Sequence, residues 1–163
     1  MSYLNSLFFY LVIYHRLSYF YLISYKGGGS IATGYIKVFA HERDQRPLAD
    51  TLVRVYRTEN EIVYLEYEFY TDADGMTPSI PLSAPDQQLS QDPYHSIQPY
   101  STYDVSLSKD GYDIEERHSI QIFDQVSSTL DVELQPVTEG SRQRNVRVIP
   151  AHGLYSNGED FYA

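Results

Sequence analysis

Between Pro99 and Leu134 apolar side chains recur at every second position. Tyr103, Val105 and Leu107 alternate with Asp104, Ser106 and Ser108, Ile120 and Ile122 flank Gln121, and Leu130, Val132 and Leu134 alternate with Asp131 and Glu133. A period of two marks strands with one buried and one wet face. Asp110-Gly111 supplies the turn between the first two of them.

The same pattern runs upstream. Tyr35 to His41 places Ile36, Val38 and Ala40 on one face and Lys37 and His41 on the other. After the charged loop Glu42 to Pro47, a strand from Asp50 to Arg57 turns Ala49, Val53 and Val55 inward. Thr58-Glu59-Asn60 reads as a tight polar turn. Beyond it Val63, Leu65, Tyr67 and Phe69 alternate with Tyr64, Glu66, Glu68 and Tyr70, which predicts an inner apolar set and an outer face of repeated Tyr and Glu. Thr71 to Gly75 is a turn, and Ile80 and Leu82 mark a short strand whose Pro81 places it at an edge. Ser83 to Gln98 is a long polar loop, expected either to protrude or to be packed down by Leu89 and Tyr94. Short strands with turn signals between them and no helical period predict an all-β, seven-stranded antiparallel β-sandwich over residues 34–136. After Pro136 the pattern stops apart from Val146, Val148 and Ile149, and residues 137–163 read as a linker or tail.

Residues 1–33 stand outside this pattern. Tyr3 to Tyr25 is apolar and aromatic and long enough for a bilayer, and Gly27, Gly28 and Gly29 follow. Three readings compete. An anchor must carry His15 and Arg16 near mid-span. A secretory signal should open on basic residues and close on an Ala-x-Ala-like site, and this one does neither. In the third reading the true start is near Ile31, with Lys26-Gly27-Gly28 the translation of a purine-rich ribosome-binding sequence.

Composition narrows the chemistry. The absence of cysteine excludes disulfides, thiolate metal sites and cysteine nucleophiles. The net charge is −10, and residues 1–30 contain Arg16 and Lys26 but no acid, which leaves −12 on the remainder. Such a body disfavours nucleic acid, because counterion release requires clustered Lys and Arg. A membrane partner is expected only if residues 3–25 are an anchor.

The ordered set Gly34-Tyr35-Ile36-Lys37-Val38, Pro47 to Val55, Thr71 to Thr77, Pro99-Tyr100-Ser101-Thr102-Tyr103, Gly111-Tyr112 and Gln121-Ile122-Phe123 resembles the N-terminal β-sandwich module of clostridial spore cortex-lytic enzymes and related peptidoglycan-binding-domain proteins. The resemblance extends to about residue 155 through Arg142 to Val146 and Ile149-Pro150. It implies a transthyretin-like, carboxypeptidase-regulatory-like sandwich, a spore or cell-envelope location, and a start near Ile31. Muralytic and peptidoglycan-binding domains lie downstream in that family, so their activity does not transfer. What the resemblance implies is an accessory module without catalysis, metal or cofactor, whose partner is peptidoglycan or another envelope or spore protein.

Several residue groups invite chemistry. Asp72 and Asp74 suggest a calcium ion, but a hard cation wants six to eight oxygens and no Glu follows at the right offset, which favours a turn. His95 with Asp92 and Ser96 suggests a small hydrolase, although neighbours on one polar loop seldom converge as a triad does. The C-terminal Tyr-Arg-Gly-Ser signature of the transthyretin-like purine-pathway hydrolase is missing. His41, His118 and His152 lack short ligand spacing. Tyr64, Glu66, Glu68 and Tyr70 form the ligand-binding candidate: rings stack on sugars and carboxylates accept hydroxyl hydrogen bonds, which defines an alternative as a peptidoglycan-binding carbohydrate module. Cross-strand tyrosine packing on a half-covered sheet would produce the same residues.

Overall fold

A computed structural model describes residues 32–88, 98–138 and 140–151. Residues 1–31 and 152–163, and with them all three readings of the leader and the end of the expected tail, lie outside the described residues, as do Leu89 and Tyr94.

Eight strands are described: β1 (Ala32–His41), β2 (Leu52–Glu59), β3 (Ile62–Tyr70), β4 (Ile80–Ala84), β5 (Ser101–Ser108), β6 (Ile114–Ile122), β7 (Ser127–Glu133) and β8 (Arg144–Val148). They form a three-stranded sheet in the order β4-β1-β7 and a five-stranded sheet in the order β3-β2-β5-β6-β8. The fold is an all-β sandwich. Ile36, Val38 and Ala40 of β1, Ile80 and Leu82 of β4 and Val132 of β7 are buried together with Val53, Val55, Tyr103, Val105, Leu107, Ile120 and Ile122 of the other sheet. All of these except Ala40 are branched or aromatic side chains that fill the space between layers, and alternation alone placed them inward. The Tyr103 hydroxyl donates to the Ser83 carbonyl oxygen at 3.0 Å, tying β5 to the end of β4 in the facing sheet.

Two features depart from the sequence reading. The sandwich has an eighth strand, and β1–β7 and β6–β8 are parallel pairs rather than antiparallel ones. A period of two reveals a strand but says nothing of its direction, and chains far apart in sequence can pair either way. β8 falls in the segment expected to be a linker. Its Val146 and Val148 are exposed, so it has no buried set to announce it. It is held instead by the β6 ladder, by the Arg144–Glu116 pair at 3.1 Å and by Asn145 donating to Glu115 at 2.7 Å.

Smaller corrections follow the same logic. Leu48, not Ala49, enters the core, because Asp50 takes a left-handed turn (φ 52°) and delays the strand until Leu52. The turn after β2 moves from Thr58-Glu59-Asn60 to Asn60-Glu61, both at positive φ (50° and 66°). Positive φ at both central residues matches the twist of the flanking strands in a two-residue hairpin. His41, expected on the wet face, is buried against Phe39, with ring centroids 4.9 Å apart.

Candidate functional site

The predicted Tyr and Glu face lies on β3, at one edge of the five-stranded sheet. The two-residue turn pairs Glu59 with Ile62, Arg57 with Tyr64 and Tyr56 with Leu65. Continued without interruption, that register would set Glu66 opposite Val55 and point both Glu66 and Glu68 into the core. Instead the register shifts by one residue at Glu66, so that Tyr67 meets Val55 and Phe69 meets Val53. A bulge inserts one residue, and one residue flips every side chain beyond it to the other face. Burial of two carboxylates is thereby avoided, and Tyr67 and Phe69 pack on the core.

The same shift divides the candidate residues. Glu68 and Tyr70 share the outer face with their cross-strand partners Arg54 and Leu52. Tyr64 lies opposite Arg57, whose face is that of Val53 and Val55. The Arg57 Nε donates to Glu66 Oε1 at 2.9 Å, and its Cζ stands 5.9 Å from the Tyr64 ring centroid. The four residues therefore do not form one surface. Val63 and Leu65, expected inward, emerge on the outer face at 63 % and 39 % exposure. Alternation within β3 is real on each side of the bulge, but the two halves are out of phase.

Each glutamate on this strand is engaged by an arginine. Arg54 Nε donates to Glu68 at 2.7 Å, and Arg57 bonds both Glu66 and, at 3.0 Å, Glu59. Arg57 is shared between two carboxylates and Glu61 lies in the turn, so the hairpin stays acidic although Glu66 and Glu68 are paired. Burial would lower the Arg57 pKa, but the hydrogen bond it donates to Glu66 and the charges of Glu66 and Glu59 outweigh this and raise it. Sequence reading missed both arginines, although folding the hairpin about Asn60-Glu61 would have brought Arg57 close to Glu66.

The distal part of this hairpin is a two-stranded ribbon. β5 pairs with β2 only from Leu52 to Tyr56, so among the described residues Arg57–Glu59 and Ile62–Leu65 have only each other as strand neighbours. Both faces of the ribbon carry exposed apolar groups: Ile62 and Tyr64 on one, Val63 and Leu65 on the other.

The remaining candidates are dispersed. Asp72 Oδ1 accepts from the Asp74 and Met76 amides at 3.0 and 2.9 Å, closing a turn in which Gly75 has φ 72°. Asp92, His95, Ser96 and His152 lie outside the described residues. His118 stands 3.3 Å from both Asp104 and Glu116 on the outer face of the five-stranded sheet, while His41 contacts Asp131 on β7 of the other sheet. Among the described residues no group of three or more His, Cys, Asp or Glu side chains is arranged to hold a metal ion. A shallow, open hollow beside the loop after β1 is lined by Glu42, Asp44, Glu133 and Pro136 among others.

No protein-family model matches the chain, and no curated protein sequence matches it. Solved structures with partial likeness include a 3-chlorocatechol 1,2-dioxygenase from Rhodococcus opacus (13 % identity, TM-score 0.44, covering 69 % of this chain and 63 % of that one). A minor pilin of Streptococcus agalactiae is 15 % identical with TM-score 0.42, covering 75 % of this chain and 49 % of the pilin. A catechol 1,2-dioxygenase from an Acinetobacter species is 12 % identical with TM-score 0.45, covering 76 % and 60 % respectively. The matched portion is less than two thirds of each of these longer chains.

Proposed function

We propose that the chain is a non-catalytic accessory module of the spore or cell envelope that works by protein contact, positioning a partner in a peptidoglycan-lytic system. The envelope setting rests on the ordered motifs from Gly34 to Phe123. The contact role is supported chiefly by one observation: the β2–β3 ribbon exposes Ile62, Val63, Tyr64 and Leu65 while Glu66 and Glu68 are occupied by Arg57 and Arg54. A sugar-binding platform needs carboxylates free to accept hydroxyls and rings on one surface. A contact surface needs exposed apolar area, and the ribbon has that on both faces.

The test is co-sedimentation of the purified chain with spore cortex peptidoglycan, alongside a charge-matched control protein, and fractionation of the cells that encode it. The expected result is an envelope location and no enrichment on peptidoglycan over the control. Enrichment that is lost in Tyr64→Ala or Tyr70→Ala would replace this reading with the carbohydrate-binding module.

A further inference from the structure

His41 stands where two segments meet at one end of the sandwich. β1 ends on it, and the charged loop that follows returns at Pro47, which bridges back to His41. On the other side the chain leaves β7 through Leu134, whose amide donates to the His41 carbonyl oxygen at 2.8 Å. The hollow lies between these segments, with Glu42 and Asp44 from the loop and Glu133 and Pro136 from the β7 side among its lining.

The loop is closed through one carbonyl. The Glu42 oxygen accepts from the Gln45 amide at 2.9 Å and from His41 Nδ1 at 2.6 Å. Gln45 holds φ 65°, a left-handed conformation that a residue with a Cβ keeps only when its surroundings hold it there. The other ring nitrogen, Nε2, donates to Asp131 Oδ1 at 2.6 Å, and the ring is 2 % exposed. Both partners only accept, so this arrangement fits a ring with two protons. A neutral ring has one. The carboxylate is the stronger acceptor and retains it, which leaves the Nδ1 lone pair against the Glu42 oxygen, where the two repel.

Charge acts in the same direction. The loop brings Glu42 and Asp44, and the β7 side brings Asp131 and Glu133. The cations set against them are Arg43, Arg46 and the charged His41. Tyr112 reaches in from the β5–β6 turn and donates to Glu42. That bond raises the Tyr112 pKa, and the same bond, with the one from Arg46, lowers the Glu42 pKa. Neither group changes charge at mildly alkaline pH, whereas His41 does.

We infer that His41 is a proton-operated catch on the Glu42–Pro47 loop. Charged, it pins the Glu42 carbonyl and keeps the hollow in the form described. Neutral, it releases that carbonyl, Gln45 relaxes from its left-handed conformation, and the loop moves away from the Glu133–Pro136 wall. This goes beyond the contact reading and does not rest on it.

The test is an NMR titration of the full chain from about pH 5.5 to about pH 9.5, following the His41 ring, the Glu42 carbonyl carbon and the amides of Arg43 to Arg46. Asp131→Asn and His41→Gln are titrated alongside, with His118→Gln as a control and thermal melts to confirm folding. The expected result is one shared midpoint above 6.5 for the ring, the carbonyl and the loop amides, unchanged in His118→Gln. Asp131→Asn, at an exposed position, should lower that midpoint by about 1 in pH. In His41→Gln the loop signals should not titrate in this range. Loop signals that stay constant while the ring titrates overturn the inference. So does a loop titration that persists in His41→Gln, or a midpoint that Asp131→Asn leaves in place.

Discussion

His41 at the end of β1 places its Nε2 2.6 Å from Oδ1 of Asp131 on β7, while its Nδ1 stands 2.6 Å from the Glu42 carbonyl oxygen. A carbonyl and a carboxylate only accept, so both ring nitrogens must donate and the ring is an imidazolium. Burial alone would lower its pKa. The hydrogen bonds to the Glu42 carbonyl and Asp131, with the charges of Asp131 and Glu133, outweigh burial and raise it above 6.5. A raised folded pKa adds stability that is complete below the unfolded pKa and is lost as pH rises through the folded value. Unfolding free energy should therefore fall as pH climbs above about 6.5. The loss should be about 1 kcal/mol, because Asp131 is largely exposed and water screens the pair. Urea unfolding at a series of pH values checks this, and Asp131→Asn should flatten the slope in that window.

Gly34 is required by packing. A Cβ there would lie 2.2 Å from the Phe123 carbonyl oxygen and 2.7 Å from Ile122 Cγ2, where β1 passes the end of β6. Backbone cannot yield as a flexible side chain can, so Gly34→Ala should cost about 3 kcal/mol. The readout is the urea midpoint at unchanged m-value.

Arg117 and Glu115 form a buried ion pair on the core side of β6, 2.9 Å apart, opposite Val105 and Leu107. Removing one charge strands the other away from water. Arg117→Met should cost about 3–5 kcal/mol, whereas Glu115→Leu with Arg117→Met should restore most of it. A double-mutant cycle measures the difference.

Glu61 holds φ 66° in the β2–β3 turn, a conformation that carries a steric penalty for any residue with a Cβ. Glu61→Gly should stabilise the hairpin by about 1 kcal/mol, read as a rise in melting temperature. A fall would show that the Glu61 side chain makes a contact worth more than the strain.

The inward positions of β1, β4, β5 and β7 were legible because each strand keeps one phase along its length, and Val38, Leu82, Val105 and Val132 are all buried. β3 was misread because the phase changes at Glu66. The cause lies in the partner strand: a two-residue turn at Asn60-Glu61 and an inward Val55 can be reconciled with inward Tyr67 only by one extra residue. Single-strand periodicity does not contain that constraint. The Ser119 bulge in β6 is the same case, since it turns Glu115 and Arg117 to the side of Ile120 where plain alternation would have sent Glu116 and His118. β8 was illegible for a third reason, that its ladder is backbone and its valines face water.

The claim on which the rest depends is that β3 changes phase at Glu66, exposing Val63 and Leu65 while Tyr67 and Phe69 pack on the core. The chain has no cysteine, so thiol labelling of single Val63→Cys, Leu65→Cys, Tyr67→Cys and Phe69→Cys variants under native conditions tests it most directly. The first two should label quickly, and the last two far more slowly. Rapid labelling at Tyr67 and Phe69 with protection at Val63 and Leu65 would contradict the account.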